Sequence, residues 1–249
     1  MNSFDPVSRM NAEFKLAFDA FLARPAVARF VTGNASLAEY GSYMRQVFHQ
    51  TRENPQAQAH ATAYFRGSQR KCIKAFLKHA VSELSHDMLA LNDLKNLEIP
   101  MSNLVDQIPS EQPLPETSAL IAFAYYQMQY LDPVGYLGCV YFLEFMPTSI
   151  GADAQGALDK MGVPAGARSF IADHVAIDVA HNKLMESYLR ELVPTEKELA
   201  VVAAAMRVTG RLYANMIEAA FEAAAQEGLE PLVNTECDQE LTYSQLLYS

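Results

Sequence analysis

Apolar residues recur along this chain at intervals of three and four, and short punctuators rich in Pro, Gly, Ser and Asn divide the periodic stretches. That period predicts helices. The pattern gives a first helix over 10–23, a short second one from Pro25 to Gly33, and a third capped by Ser36 and running to about Thr51. Asn54-Pro55 then opens a separate helix to about Arg66, and a long one spans Gln69–Leu97. Four prolines between Glu98 and Glu116 remove backbone donors and bias their neighbours away from helix, which predicts a surface loop. Beyond it lie helices from Thr117 or Ser118 to Asp132, from Pro133 to about Met146, from Ile150 to Met161 and from Pro164 to about Leu192. The Thr195-Glu-Lys-Glu198 capping box starts the last, to Gln226. Strand periodicity is almost absent, so the expected fold is all-α.

Composition narrows the class. With 249 residues, of which 50% are hydrophobic and 19% charged, the chain can bury one large core, and a single domain over 1–249 is the simpler reading. Its periodic part covers about 10–226, and the unpatterned tail 228–249 is expected to be weakly ordered. A net charge of −10 argues against a nucleic-acid or anionic membrane surface. No stretch is apolar enough to span a bilayer, and the start lacks a basic segment followed by an apolar one, so a cytoplasmic location is expected. The three cysteines are widely spaced, which suggests neither a disulfide framework nor a zinc ribbon.

The candidate chemistry lies in the histidines. His79-x3-Glu83-x2-His86 and His174-x3-Asp178-x2-His181 repeat one pattern inside helical segments. At about 100° per residue, positions i, i+4 and i+7 fall within about 60° of one another, so each triplet forms one stripe. Imidazole with carboxylate is a ligand set for non-haem iron, manganese or zinc, and facing stripes are how helical bundles hold metal pairs. In the second triplet every intervening residue is apolar, which predicts a buried helix whose polar groups need partners. The first is wetter, with Lys78, Ser82, Ser85 and Asp87 around it, and His79 reads as a ligand, a supporting hydrogen-bond donor or a surface histidine, with the last two preferred. Glu144 is the only charged residue between Asp132 and Asp153 and supplies a third segment. An unpaired carboxylate in an apolar helix is costly, and a metal is one remedy.

Taken together, Glu83-x2-His86, the isolated Glu144 and His174-x3-Asp178-x2-His181 resemble the ligand pattern of the haem-oxygenase-like di-iron oxidases and oxygenases, relatives of thiaminase II and pyrroloquinoline-quinone synthase. The resemblance spans roughly residues 60–192. It implies a bundle of about seven to nine helices, commonly a homodimer. The implied metal ligands are Glu83, His86, Glu144, His174, Asp178 and His181, with Glu144 bridging two iron ions, one of them loosely held. It further implies activation of O2 to oxidise a small organic substrate, with manganese as the alternative metal. Phe142, Phe145, Tyr125, Tyr126 and Met128 are candidates for the wall of an apolar substrate cavity. Three rival readings stand beside it: a ferritin-like bundle, which would want a further carboxylate on a fourth helix and leaves His174 unexplained; a metal-free thiaminase II-like enzyme with Cys139 as nucleophile; and a non-catalytic binding protein whose polar stripes are a satisfied hydrogen-bond network.

Overall fold

In a computed structural model, residues 4–97, 99, 103–151 and 153–227 are described, 174–180 and 227 by backbone alone. They form ten α-helices and no strand: α1 (Pro6–Leu22), α2 (Pro25–Val31), α3 (Leu37–Ala61), α4 (Ile73–Ser82), α5 (His86–Lys95), α6 (Pro115–Tyr130), α7 (Tyr136–Ile150), α8 (Asp153–Lys160), α9 (Ser169–Leu192) and α10 (Glu196–Glu227). The residues from 228 on, where the weakly ordered tail was expected, lie outside the described part.

Local rules set most boundaries. Asp5 accepts from the Val7 amide at the start of α1, and Pro6 stands where a helical N–H has no partner anyway. Ser36 and Glu39 close a full capping box on α3. Asp93 of α5 reaches across to cap α9, accepting from the Ser169 amide and hydroxyl and the Phe170 amide.

Three expectations fail locally. Pro55 does not open a new helix, because α3 runs through it to Ala61. An interior proline costs about 3 kcal/mol, and here the continuing turns bury Ala57, Gln58 and Ala61 in the interior. The segment expected as one helix over 69–97 is instead a 3-10 stretch (Gly67–Cys72), then α4, then a turn at 83–85 whose Ser85 is left-handed (φ 73°), then α5. The His79–His86 stripe therefore does not share one helix. Third, α7 extends through Pro147 to Ile150, past the expected end.

Helix α10 packs against α1, α3, α6 and α7, while α7 also packs on α9, and α3 on α4 and α5. The closest approach uses glycine. A Cβ on Gly138 would lie 2.0 Å from the Val202 carbonyl oxygen, so α7 and α10 pass at a distance no larger residue allows. Aromatic rings fill the layer beside this crossing, with Phe142 against Phe14 and Phe21, and Phe145 stacked on Tyr141. No helix among the described residues is long and apolar enough to cross a membrane.

Candidate metal centre

Glu144 enters the interior from the middle of α7, where its neighbours Val140, Tyr141 and Phe142 are all buried. Its two oxygens meet one histidine each. His79 Nε2 lies 3.0 Å from Oε1, and His181 Nδ1 of α9 lies 2.9 Å from Oε2. Glu83, at the C-terminal cap of α4, places Oε1 3.7 Å from both of those ring nitrogens. His79, Glu83, Glu144 and His181 are all buried, and their donor atoms lie within 4.8 Å of one another. Metal–ligand bonds of about 2 Å separate neighbouring donors by about 3–4 Å, so the observed spacings suit a shared cation. Imidazole with carboxylate is also the mixed set that iron takes.

The electrostatics agree. Burial alone would push the Glu144 carboxyl up, but the hydrogen bonds from His181 and His79 and the charge on both rings pull it down to about 2. A permanent anion thus stands at the centre of the bundle, partnered by two imidazoles. Behind His79, Gln58 of α3 approaches Nδ1 at 2.9 Å, and its amide oxygen accepts from the Tyr136 hydroxyl at 3.2 Å. Burial pushes that hydroxyl well above its ordinary value, so it stays neutral.

Of the six sequence-derived ligands, the fold brings Glu83, Glu144 and His181 to one point. His86 stands beside it, with Nδ1 3.4 Å from Glu83 Oε2. His174 and Asp178 fall on the α9 backbone at the i and i+4 positions relative to His181 at i+7, and their side chains lie outside the described residues. Of the readings open to His79, the structure removes the surface histidine, since the ring is buried and faces Glu144. Gln58 was missed, because a lone glutamine on a polar-looking helix carries no signal. His60 of α3 pairs with Tyr64 and Gln129.

Two hollows flank the cluster, and Glu83 and Glu144 border both. One, about 600 Å³ with its open mouth, is lined by Gln50, Gln58, Tyr125, Tyr136, Cys139 and Thr209. The other, about 850 Å³, is walled by Val31, Met146, Ile150, Leu158, Met161 and Phe170. The residues weighed from sequence for a cavity wall divide mainly between core and surface. Phe142 and Phe145 belong to the core, Met128 is buried, Tyr126 is exposed, and only Tyr125 reaches a hollow, the polar one. Cys139 is fully enclosed and burial pushes its thiol up to about 12, which argues against a thiolate nucleophile at neutral pH.

A family model described as "iron-containing redox enzyme" matches residues 42–214. Among curated proteins no sequence matches. Several solved structures share the fold. A domain of unknown function with a haem-oxygenase-like fold from Shewanella denitrificans superposes with TM-score 0.78 at 22% identity, covering 90% of this chain and 96% of that one. A TenA homologue from Pseudomonas syringae gives TM-score 0.68 at 13% identity, covering 86% and 92%. A TenA homologue from P. horikoshii gives 0.67 at 11%, covering 88% and 99%.

Proposed function

This chain belongs to the iron-containing redox enzyme family, and on that premise we propose that it is a non-haem iron oxidase or oxygenase that uses O2 to oxidise a small organic substrate. The observation that carries the reading is the convergence of two carboxylates and two imidazoles, from α4, α7 and α9, on one buried point. Two iron ions are proposed, held by Glu83, His86, Glu144, His174, Asp178 and His181, with His79 joining the set. What bound ferrous iron supplies is the reduction of dioxygen, which protein side chains alone do not perform.

The remaining work belongs to the chain. Glu144 stays ionised at any physiological pH and presents one oxygen toward each flanking histidine, so it would hold bound iron between them. Gln58, held by Tyr136, fixes the plane of the His79 ring. Glu83 and Glu144 close the inner end of the apolar hollow, which seats the carbon skeleton to be oxidised and keeps bulk water from it.

Anaerobic loading with Fe(II), metal analysis per chain and rapid mixing with oxygenated buffer test the proposal. Two irons per chain, one bound more weakly, and an oxygen-dependent change in visible absorbance are expected. A chain that takes up no iron, or whose iron is inert to O2, would overturn it. Loading with Mn(II) in parallel is expected to fill the site without the oxygen response.

A further inference from the structure

Between Glu53 and Glu83 the sequence holds no acid at all, yet it carries Arg66, Arg70, Lys71, Lys74 and Lys78, in a chain whose net charge is −10. The fold gathers these cations on one side. Arg70, Lys71, Lys74 and Lys78 line a shallow open groove with Ile73, Leu77 and Val81. Leu77 is 42% and Val81 66% exposed, and beyond the turn Leu84 (57%) and Met88 (54%) are exposed as well. Lys71 pairs with Glu191, while Arg70, Lys74 and Lys78 have no ion pair among the described residues. Single exposed apolar residues are ordinary on a protein surface. Leu77 and Val81, one turn apart on α4 and set among Arg70, Lys74 and Lys78, have the composition of an interface.

We infer that this face of α4 docks an acidic one-electron carrier protein that re-reduces the metal centre, an inference that rests on the iron reading above. The opposite face of the same helix carries His79, so the docked partner stands one helix, about 10–12 Å, from the cluster. Two reactions open to such a centre need electrons from outside. In an oxygenation one oxygen atom enters the substrate and the other leaves as water, which takes two electrons and two protons from outside. In a desaturation both atoms leave as water, and the same two electrons are needed. Two encounters with a reduced one-electron carrier supply them. Charge selects the partner. A second copy docked face to face would oppose cation to cation. Electron-transfer complexes are small, weak and steered by charge, as a patch of this extent allows.

Calorimetric titration of a bacterial [2Fe–2S] ferredoxin and of a flavodoxin, both acidic, into metal-free and iron-loaded protein tests the inference. At least one carrier is expected to bind with or without iron, and to weaken about tenfold or more between about 20 and 200 mM salt. Lys74→Glu with Lys78→Glu should weaken it about tenfold or more, and Leu77→Asp should weaken it without changing the melting temperature. Lys15→Glu, on α1, should leave it unchanged. Absent or salt-independent binding of both carriers, or an equal loss in Lys15→Glu, would overturn the proposal. So would co-sedimentation with phosphatidylglycerol vesicles abolished by the double reversal, or a dimer that Leu77→Asp converts to monomer. A chain that loads iron and reacts with O2 but binds neither carrier keeps the proposed function and loses this inference. One that binds a carrier through Lys74 and Lys78 yet takes no iron loses the redox purpose of the docking.

Discussion

His79 is held at both ring nitrogens, by Gln58 at Nδ1 and by Glu144 at Nε2. With the Gln58 amide nitrogen donating to Nδ1, the proton sits on Nε2 and points at Glu144. A cation bound at Nε2 requires the opposite tautomer, with Nδ1 donating to an oxygen. A glutamine amide serves either state by turning over, and the Tyr136 hydroxyl behind it is both donor and acceptor. Gln58→Leu should therefore cost about tenfold in ferrous affinity, and His79→Ala about a hundredfold. Gln58→Glu, which keeps an acceptor facing Nδ1, should retain binding close to the parent. Anaerobic calorimetry reads all three, and equal affinities for parent and Gln58→Leu would remove the glutamine from the site. His79 illustrates what sequence obscures at this scale. Its chain neighbours Lys78 and Ser82 point outward and made the segment look wet, while the partners that matter, Gln58 and Glu144, come from other helices.

At the scale of elements, the helical period and the cap residues made most of the fold readable before any coordinates. Ser36, Pro25, Pro133 and Thr195 mark real starts because each satisfies or removes an orphan donor within its own turn. Pro55 and the break at 83–85 were not readable, since both are settled by distant packing. In the first case burial of the following turns offsets a local penalty; in the second a left-handed serine, costing about 1–2 kcal/mol, turns His86 back toward Glu83. The α7–α10 crossing is of the same kind. Gly138 reads as a weak spot in a helix, yet its missing side chain lets Glu144 and the α10 backbone lie where they do. Gly138→Ala should lower stability by about 1–3 kcal/mol through overpacking, measured by chemical denaturation. Gly156→Ala in α8, where an added Cβ meets nothing within 4 Å, should be neutral or slightly stabilising. A reversed order would show that the helices separate at little cost.

Over the whole molecule, two buried groups tie stability to pH in adjoining windows. His49 is 0% exposed, neither ring nitrogen has a hydrogen bond among the described residues, and its pKa falls from 6.5 to about 4, first through burial and then through the nearby Arg52 and Arg45 charges. The unfolded chain takes up this proton at higher pH than the folded one, so the stability tied to a neutral His49 is fully present above about 6.5 and drains away as the pH falls toward 4. Glu144 is depressed in the ordinary carboxylate sense, to about 2 from 4.5, so its contribution is intact above about 4.5 and is lost as the pH falls through about 2. Acidification therefore meets the buried histidine first and the metal-site carboxylate second. Melting temperatures of the metal-free protein should decline from pH 6.5 downward, and His49→Leu, which replaces an unpaired polar ring with a compact apolar side chain, should flatten the decline between about 6.5 and 4 at little cost at neutral pH. Glu144→Gln should alter the lower window. Parallel curves for parent and His49→Leu would mean that the ring reaches solvent or a partner, and the acid sensitivity would then have to come from carboxylates alone.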